Sequence, residues 1–118
     1  MTNKIVTDIS PIVNDFLSKI KILLKERLKK VILYGSYARG DYNSSSDIDI
    51  MILTDLSDVE IEEYRDIISD IAFDIELNTG YVISPIIRNI DVFNIRTGYI
   101  PFYNNVKNEG VVLDGWWK

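Results

Sequence analysis

A chain of 118 residues, 47% hydrophobic and 26% charged with six Gly and three Pro, predicts one folded soluble domain over 1–118, long enough to bury an ordinary core unaided. With no Cys and no His, disulfide scaffolds, zinc sites, thiol nucleophiles and every His-based triad are excluded. A net charge of −5 disfavours salt-driven nucleic-acid binding, and no apolar run approaches a membrane span and no secretory signal opens the chain, so a cytoplasmic protein without membrane or direct nucleic-acid contact is expected.

Ser10-Pro11 reads as an N-cap followed by proline at the first helical position. Ile12, Val13, Phe16, Leu17, Ile20, Leu23, Leu24 and Leu28 then recur at helical spacing and predict a helix over 10–29. The apolar run Val31-Ile32-Leu33-Tyr34 reads as a buried strand ending at Gly35, and Ile48, Ile50, Met51, Ile52 and Leu53 make a second strand. Ser57-Asp58-Val59-Glu60 is a capping box opening a helix that carries Ile61, Tyr64, Ile68, Ile71, Ala72 and Ile75 on one face and stops at Gly80. Residues 81–88 form a third strand, in which Pro85 indicates an edge or a bulge. A short helix over 91–96 and a mostly irregular aromatic tail, with a strand at Val111-Val112-Leu113, complete the prediction. The order implies an α/β domain, a small mixed sheet covered by helices on at least one face.

Charge is unevenly spread. Residues 19–30 hold six basic side chains and one acid, whereas 41–76 hold twelve acids and one Arg. Solvated helix faces account for this pattern; the alternative is a basic face that meets a partner or polyanion.

One constellation carries chemistry: Gly35-Ser36, then Asp47-Ile48-Asp49. A lone Asp-x-Asp arises about once by chance in this composition, but Gly-Ser followed ten residues later by Asp-x-Asp arises about 0.004 times per chain. Residues two apart on a strand share a face, so Asp47 and Asp49 project together while Ile48 and Ile50 point the other way. Paired carboxylates raise each other's pKa unless a cation lies between them, and a hard divalent ion such as Mg²⁺ resolves that conflict. Glycine at 35 lets backbone amides and the Ser36 hydroxyl approach phosphate oxygens, and a helical turn over 37–40 would aim its N-terminus at the same anion. Arg39 either serves that anion or pairs with Asp41.

The segments Leu33-Tyr34-Gly35-Ser36-Tyr37-Ala38-Arg39-Gly40 and Ser46-Asp47-Ile48-Asp49-Ile50-Met51-Ile52 closely resemble the signature of the DNA polymerase beta-like nucleotidyltransferases, and more narrowly the minimal nucleotidyltransferase (MNT) family. Pro101-Phe102-Tyr103-Asn104-Asn105-Val106 with Glu109-Gly110 resembles the tail of one MNT subgroup. The resemblance implies a palm-like nucleotidyltransferase fold and Mg²⁺-dependent transfer of a nucleoside monophosphate, AMP from ATP, to a protein hydroxyl with pyrophosphate leaving. It also implies an antitoxin role beside a HEPN-type ribonuclease toxin. Carried over, Gly35, Ser36, Arg39 and Ser46 bind the nucleotide, and Asp47 and Asp49 are the catalytic acids holding two Mg²⁺ ions.

The sequence departs from that pattern at the third carboxylate, expected on the strand after the second helix. No acid occurs between Leu77 and Ile90; Ser84 offers only a hydroxyl, and Asp74, Glu76 and Asp91 fall at element ends. Two other readings therefore stand beside the active enzyme: a weak or inactive MNT domain that binds nucleotide and neutralises its partner by binding alone, and transfer to a small molecule such as an aminoglycoside. A protein contact, either a homo-oligomer or the toxin interface, is a further expectation, because adjacent Trp116 and Trp117 point in opposite directions on an extended segment, so that a one-sided core holds only one of them.

Overall fold

The structure, a computed structural model, describes residues 9–115. Helix α1 (Ser10–Leu24) buries Ile12, Val13, Phe16, Ile20 and Leu24. Its N-cap is Ile9, without a side-chain cap, so Ser10 is the first helical residue and not the cap. The helix also ends five residues before the predicted limit. Lys25 takes φ 52°, a 3₁₀ turn runs over Lys25–Arg27, and the chain enters strand β1 (Leu28–Tyr34). The i, i+4 pair Leu24/Leu28 looked helical, but Leu28 is claimed by pairing with Thr54, and Arg27 is fastened to Asp55 and to Glu60 at the start of the next long helix. Much of the basic segment thus faces acids of its own chain: Lys29 also meets Asp55, and Lys21 meets Asp114.

After one helical turn, α2 (Ser36–Arg39), the chain forms β2 (Ile48–Thr54), then α3 (Asp58–Thr79). The predicted capping box is complete: the Ser57 side chain accepts from the Glu60 N–H and the Glu60 side chain accepts from the Ser57 N–H. Gly80 ends α3 at φ 81°. Strand β3 (Ile83–Asn89) leads into α4 (Ile90–Arg96), where the Asn89 side chain accepts from the Asp91 and Val92 amides. The tail corrects the prediction: α5 (Pro101–Glu109) is a helix with proline in its first turn, burying Tyr103 and Val106, before β4 (Val111–Asp114). Trp116 and Trp117 lie outside the described residues.

The sheet runs β3-β2-β1-β4, so β3, with Pro85, is an edge strand where a missing N–H costs little. β2 and β3 are parallel, joined across α3, and the other pairs are antiparallel. Period-2 alternation splits the core between two faces. Val31, Leu33, Ile48, Ile50, Ile52, Ile83 and Ile87 meet α1 and α3, while Ile32, Met51 and Leu53 meet Phe93, Tyr103 and Val106 of α4 and α5. Truncating a fully buried side chain such as Phe16 would cost about 3–5 kcal/mol. Asp49 is the one residue of β2 not fully buried. Among the described residues, no helix is long and apolar enough to cross a membrane.

Candidate active site

β1 ends at Tyr34, and Gly35 turns the chain at φ 78°, ψ −156°, a region that is almost glycine-only. The turn passes directly beside β2. A Cβ at Gly35 would overlap Asp49 Oδ2 and stand 3.2 Å from Asp49 Cγ. The glycine therefore serves both the backbone angle and the close approach to the carboxylate. The Gly35 carbonyl accepts from the amides of Ala38 and Arg39 at 3.1 and 3.0 Å, closing α2. A helix leaves its first amides without acceptors inside the helix, and α2 starts at Ser36, next to Asp49.

Asp49 sits between Tyr34 of β1 and Ser84 of β3 in the ladder, so both its flanks are fixed by backbone pairing. Burial, then the neighbouring charge of Asp47, push its carboxyl above the ordinary range, with Arg39 opposing. Burial and then Asp49 push the Tyr34 phenol up to about 12.

Gly35, Ser36, Arg39 and Asp49 line one cleft of about 350 Å³, closed on its far side by Phe102, Asn105 and Glu109 of α5. Arg39 donates from Nε to Asp41 and from Nη1 to Glu109, each at 3.2 Å, so it takes the Asp41 pairing considered from sequence and adds a second carboxylate. Asp47 is exposed and opens into a neighbouring cleft of about 550 Å³ with Ser46 and the stacked rings of Tyr37 and Tyr42. Ser46 does not reach the first cleft. Its hydroxyl accepts from the Asn43 amide at 2.9 Å and holds the 43–46 turn that delivers Asp47 to β2. Sequence reasoning missed the α5 wall; the signal available was Pro101 followed by Val106 and Glu109 at helical spacing.

The residues present suit one divalent cation better than a full ligand set. A cation between Asp47 and Asp49 would relieve the repulsion that raises Asp49. The ladder position opposite Asp49 is Ser84, and among the described residues no three acidic, His or Cys side chains gather to hold a metal.

Comparison with known proteins fits this geometry. Residues 18–114 match the family described as "Polymerase beta, Nucleotidyltransferase". Two proteins of Methanocaldococcus jannaschii are each 38% identical to the chain. One, named "Putative protein adenylyltransferase MJ0604", aligns over 86% of this chain and 93% of its own length. The other, named "Putative protein adenylyltransferase MJ0141", aligns over 88% and 97%. Among solved structures, a toxin–antitoxin with AMP-PNP superposes with TM-score 0.54 at 20% identity, covering 86% of this chain and 72% of that one. A mutant of the toxin–antitoxin MntA–HpeT gives 0.53 at 19%, covering 85% and 71%. These likenesses show the fold, a four-stranded mixed sheet with flanking helices. The family match over most of the chain, joined to the 38% identity, establishes that the chain belongs to the polymerase beta nucleotidyltransferase family.

Proposed function

We propose that this chain transfers AMP from Mg·ATP to a hydroxyl of a protein partner, and that the partner is a HEPN-type toxin which the chain neutralises. The observation that carries the reading is the pressing of the Gly35–Ser36 turn against Asp49 in a cleft walled by Arg39 and α5. The names of the two 38% identical relatives, both protein adenylyltransferases, support the protein acceptor. The toxin–antitoxin neighbours, one with AMP-PNP, are in keeping with the partner and the nucleotide.

In this reading the Ser36 hydroxyl and the first amides of α2 hold phosphate oxygens, with Gly35 clearing the space for them. Arg39 is the cation on the cleft wall, and to serve the triphosphate it would exchange or share its pairing with Asp41 and Glu109. Asp47 and Asp49 would hold Mg²⁺, which supplies neutralisation of the triphosphate charge. The acceptor hydroxyl gives up its proton to solvent as its oxygen bonds to the α-phosphorus, the bond to the bridging oxygen breaks, and pyrophosphate leaves. Positioning does most of the work in such a transfer, so the absence of His is no obstacle.

Ser84 opposite Asp49 favours a second reading, in which the domain binds nucleotide but neutralises its partner by association alone. Incubation of the chain, Mg²⁺, α-labelled ATP and the co-expressed partner separates the two. Label transferred to the partner, and lost in Asp49→Asn, supports the enzyme. Nucleotide binding and toxin neutralisation without transfer would support the second reading.

A further inference from the structure

A third cleft, of about 440 Å³, lies beside edge strand β3 between α3 and α4, and shares no lining residue with the Asp49 cleft. Arg88 and Arg96 both line it, and their guanidinium groups converge on the hydroxyl of Tyr103 in α5. Arg88 Nε donates to Tyr103 Oη at 3.1 Å, and Arg96 Nη1 donates to the same oxygen at 3.4 Å, so the two donor nitrogens are at most about 6.5 Å apart. Arg96 also stacks its cation 5.7 Å from the Tyr103 ring centre.

Like charges held this close normally share a carboxylate. Among the described residues, none lies within ion-pair distance of either one, although the chain carries five more acids than bases. The third arginine of the cleft, Arg65, is already paired with Glu62 at 3.2 Å, and Asp58 lines the cleft without pairing to Arg88 or Arg96. Of the ten N–H donors on Arg88 and Arg96, three have protein acceptors: two reach Tyr103 and one reaches the Ile87 carbonyl. Arg88 is half-buried and fixed by two of these bonds, so its remaining donors are held in place before any ligand arrives.

We infer that Arg88 and Arg96 form a second anion site, separate from the Asp49 cleft and selective for a phosphate dianion, free or as a small monoester. Two adjacent positive charges, that of Arg88 held by its two bonds, match a dianion, whereas a single carboxylate would leave one unpaired. Planar guanidinium forks suit adjacent phosphate oxygens. The cleft volume falls in the range of small-molecule sites, which leaves room for the organic part of an ester. Tyr103, whose ring packs against Phe93 and Phe102, ties the site to the core.

The test uses the full chain labelled with ¹⁵N at arginine Nε, in EDTA so that no divalent cation bridges an anion to Asp47 and Asp49. Inorganic phosphate and adenosine 5′-monophosphate are titrated separately, against chloride at matched ionic strength. Saturable shifts of the Arg88 and Arg96 signals are expected with phosphate, and chloride should leave them in place. Arg96→Gln, at an exposed position where the fold is insensitive, should weaken phosphate binding about tenfold, the loss of one charge-assisted contact. Tighter binding of the monophosphate assigns the site to an ester, and equal binding assigns it to the free ion. Shifts that track ionic strength alone, or an affinity unchanged in Arg96→Gln, overturn the inference.

Discussion

Replacing Gly35 with alanine tests the central geometric claim, that the turn and the carboxylate of Asp49 occupy interlocking space. Two penalties act together. At φ 78° and ψ −156° an alanine carries about 1–3 kcal/mol of backbone strain. For a chain of this size each kcal/mol lowers Tm by about 4 °C, so strain alone predicts a fall of about 4–12 °C. The added Cβ would overlap Asp49 Oδ2, and Asp49 cannot withdraw along a strand paired on both sides, so its carboxylate must rotate out of the cleft. Gly40→Ala is the matched control: φ is 92°, but nothing lies within 4 Å of the new Cβ. It should cost about 1–2 kcal/mol and leave Mg·ATP binding intact. Differential scanning fluorimetry and calorimetry with Mg·ATP on both variants read the difference. Gly35→Ala should lose nucleotide binding and Gly40→Ala should keep it. If both bind as the parent chain does, the interlock is wrong.

Three further outcomes are expected. Because the Asp49 carboxyl is raised by burial and by Asp47, its ionised form costs stability above its folded pKa and that cost vanishes as pH falls; Asp49→Asn should raise Tm at pH 7 without metal, with the gain disappearing below about pH 4, and a large fall at pH 7 would mark the acid as structural. Glu60 is lowered to about 2 by Arg27 and the Ser57 amide, so it contributes stability present above its ordinary pKa and lost as pH falls from about 4.5 to about 2; acid titration of Glu60→Gln should show a flatter fall of Tm across that window, and a parent-like slope would contradict the assignment. Ser84→Asp puts a like charge opposite Asp49 and should lower Tm by an amount corresponding to about 1 kcal/mol in EDTA, with recovery in Mg²⁺; equal melting with and without metal would show that the pair does not share a cation.

The elements around the motif were legible because local and long-range preferences agree there. Ile48 to Leu53 are apolar on both faces, as a central strand covered by helices on both sides must be, and Asp49 interrupts the run at the proposed nucleotide cleft. Ser57 and Glu60 cap α3 through bonds that need only four residues. Where the two preferences conflict, reading failed. Helix α5 contains Phe102, Tyr103, Asn104 and Asn105, weak helix formers whose conformation is set by burying Tyr103 and Val106 under the sheet. The end of α1 went wrong for the same reason: Leu28 continues a helical stripe but is taken by β1. The wall that α5 gives the cleft could not be foreseen without the helix. Glu109 pairs with Arg39 across 70 residues of sequence, a separation at which no local pattern operates.

That separation bears on when the cleft comes into being during synthesis. Its floor, Tyr34 to Asp49, emerges from the ribosome early, but the opposite wall arrives with Phe102 and Glu109, and Gly110 must then nest against Ile32 and the Val106 carbonyl before β4 can dock on β1. Domains fold as units once their distant contacts can close. A nascent chain that has already exposed its Gly-Ser turn and both acids therefore still lacks the complete cleft, and nucleotide bound there would reward only the finished fold.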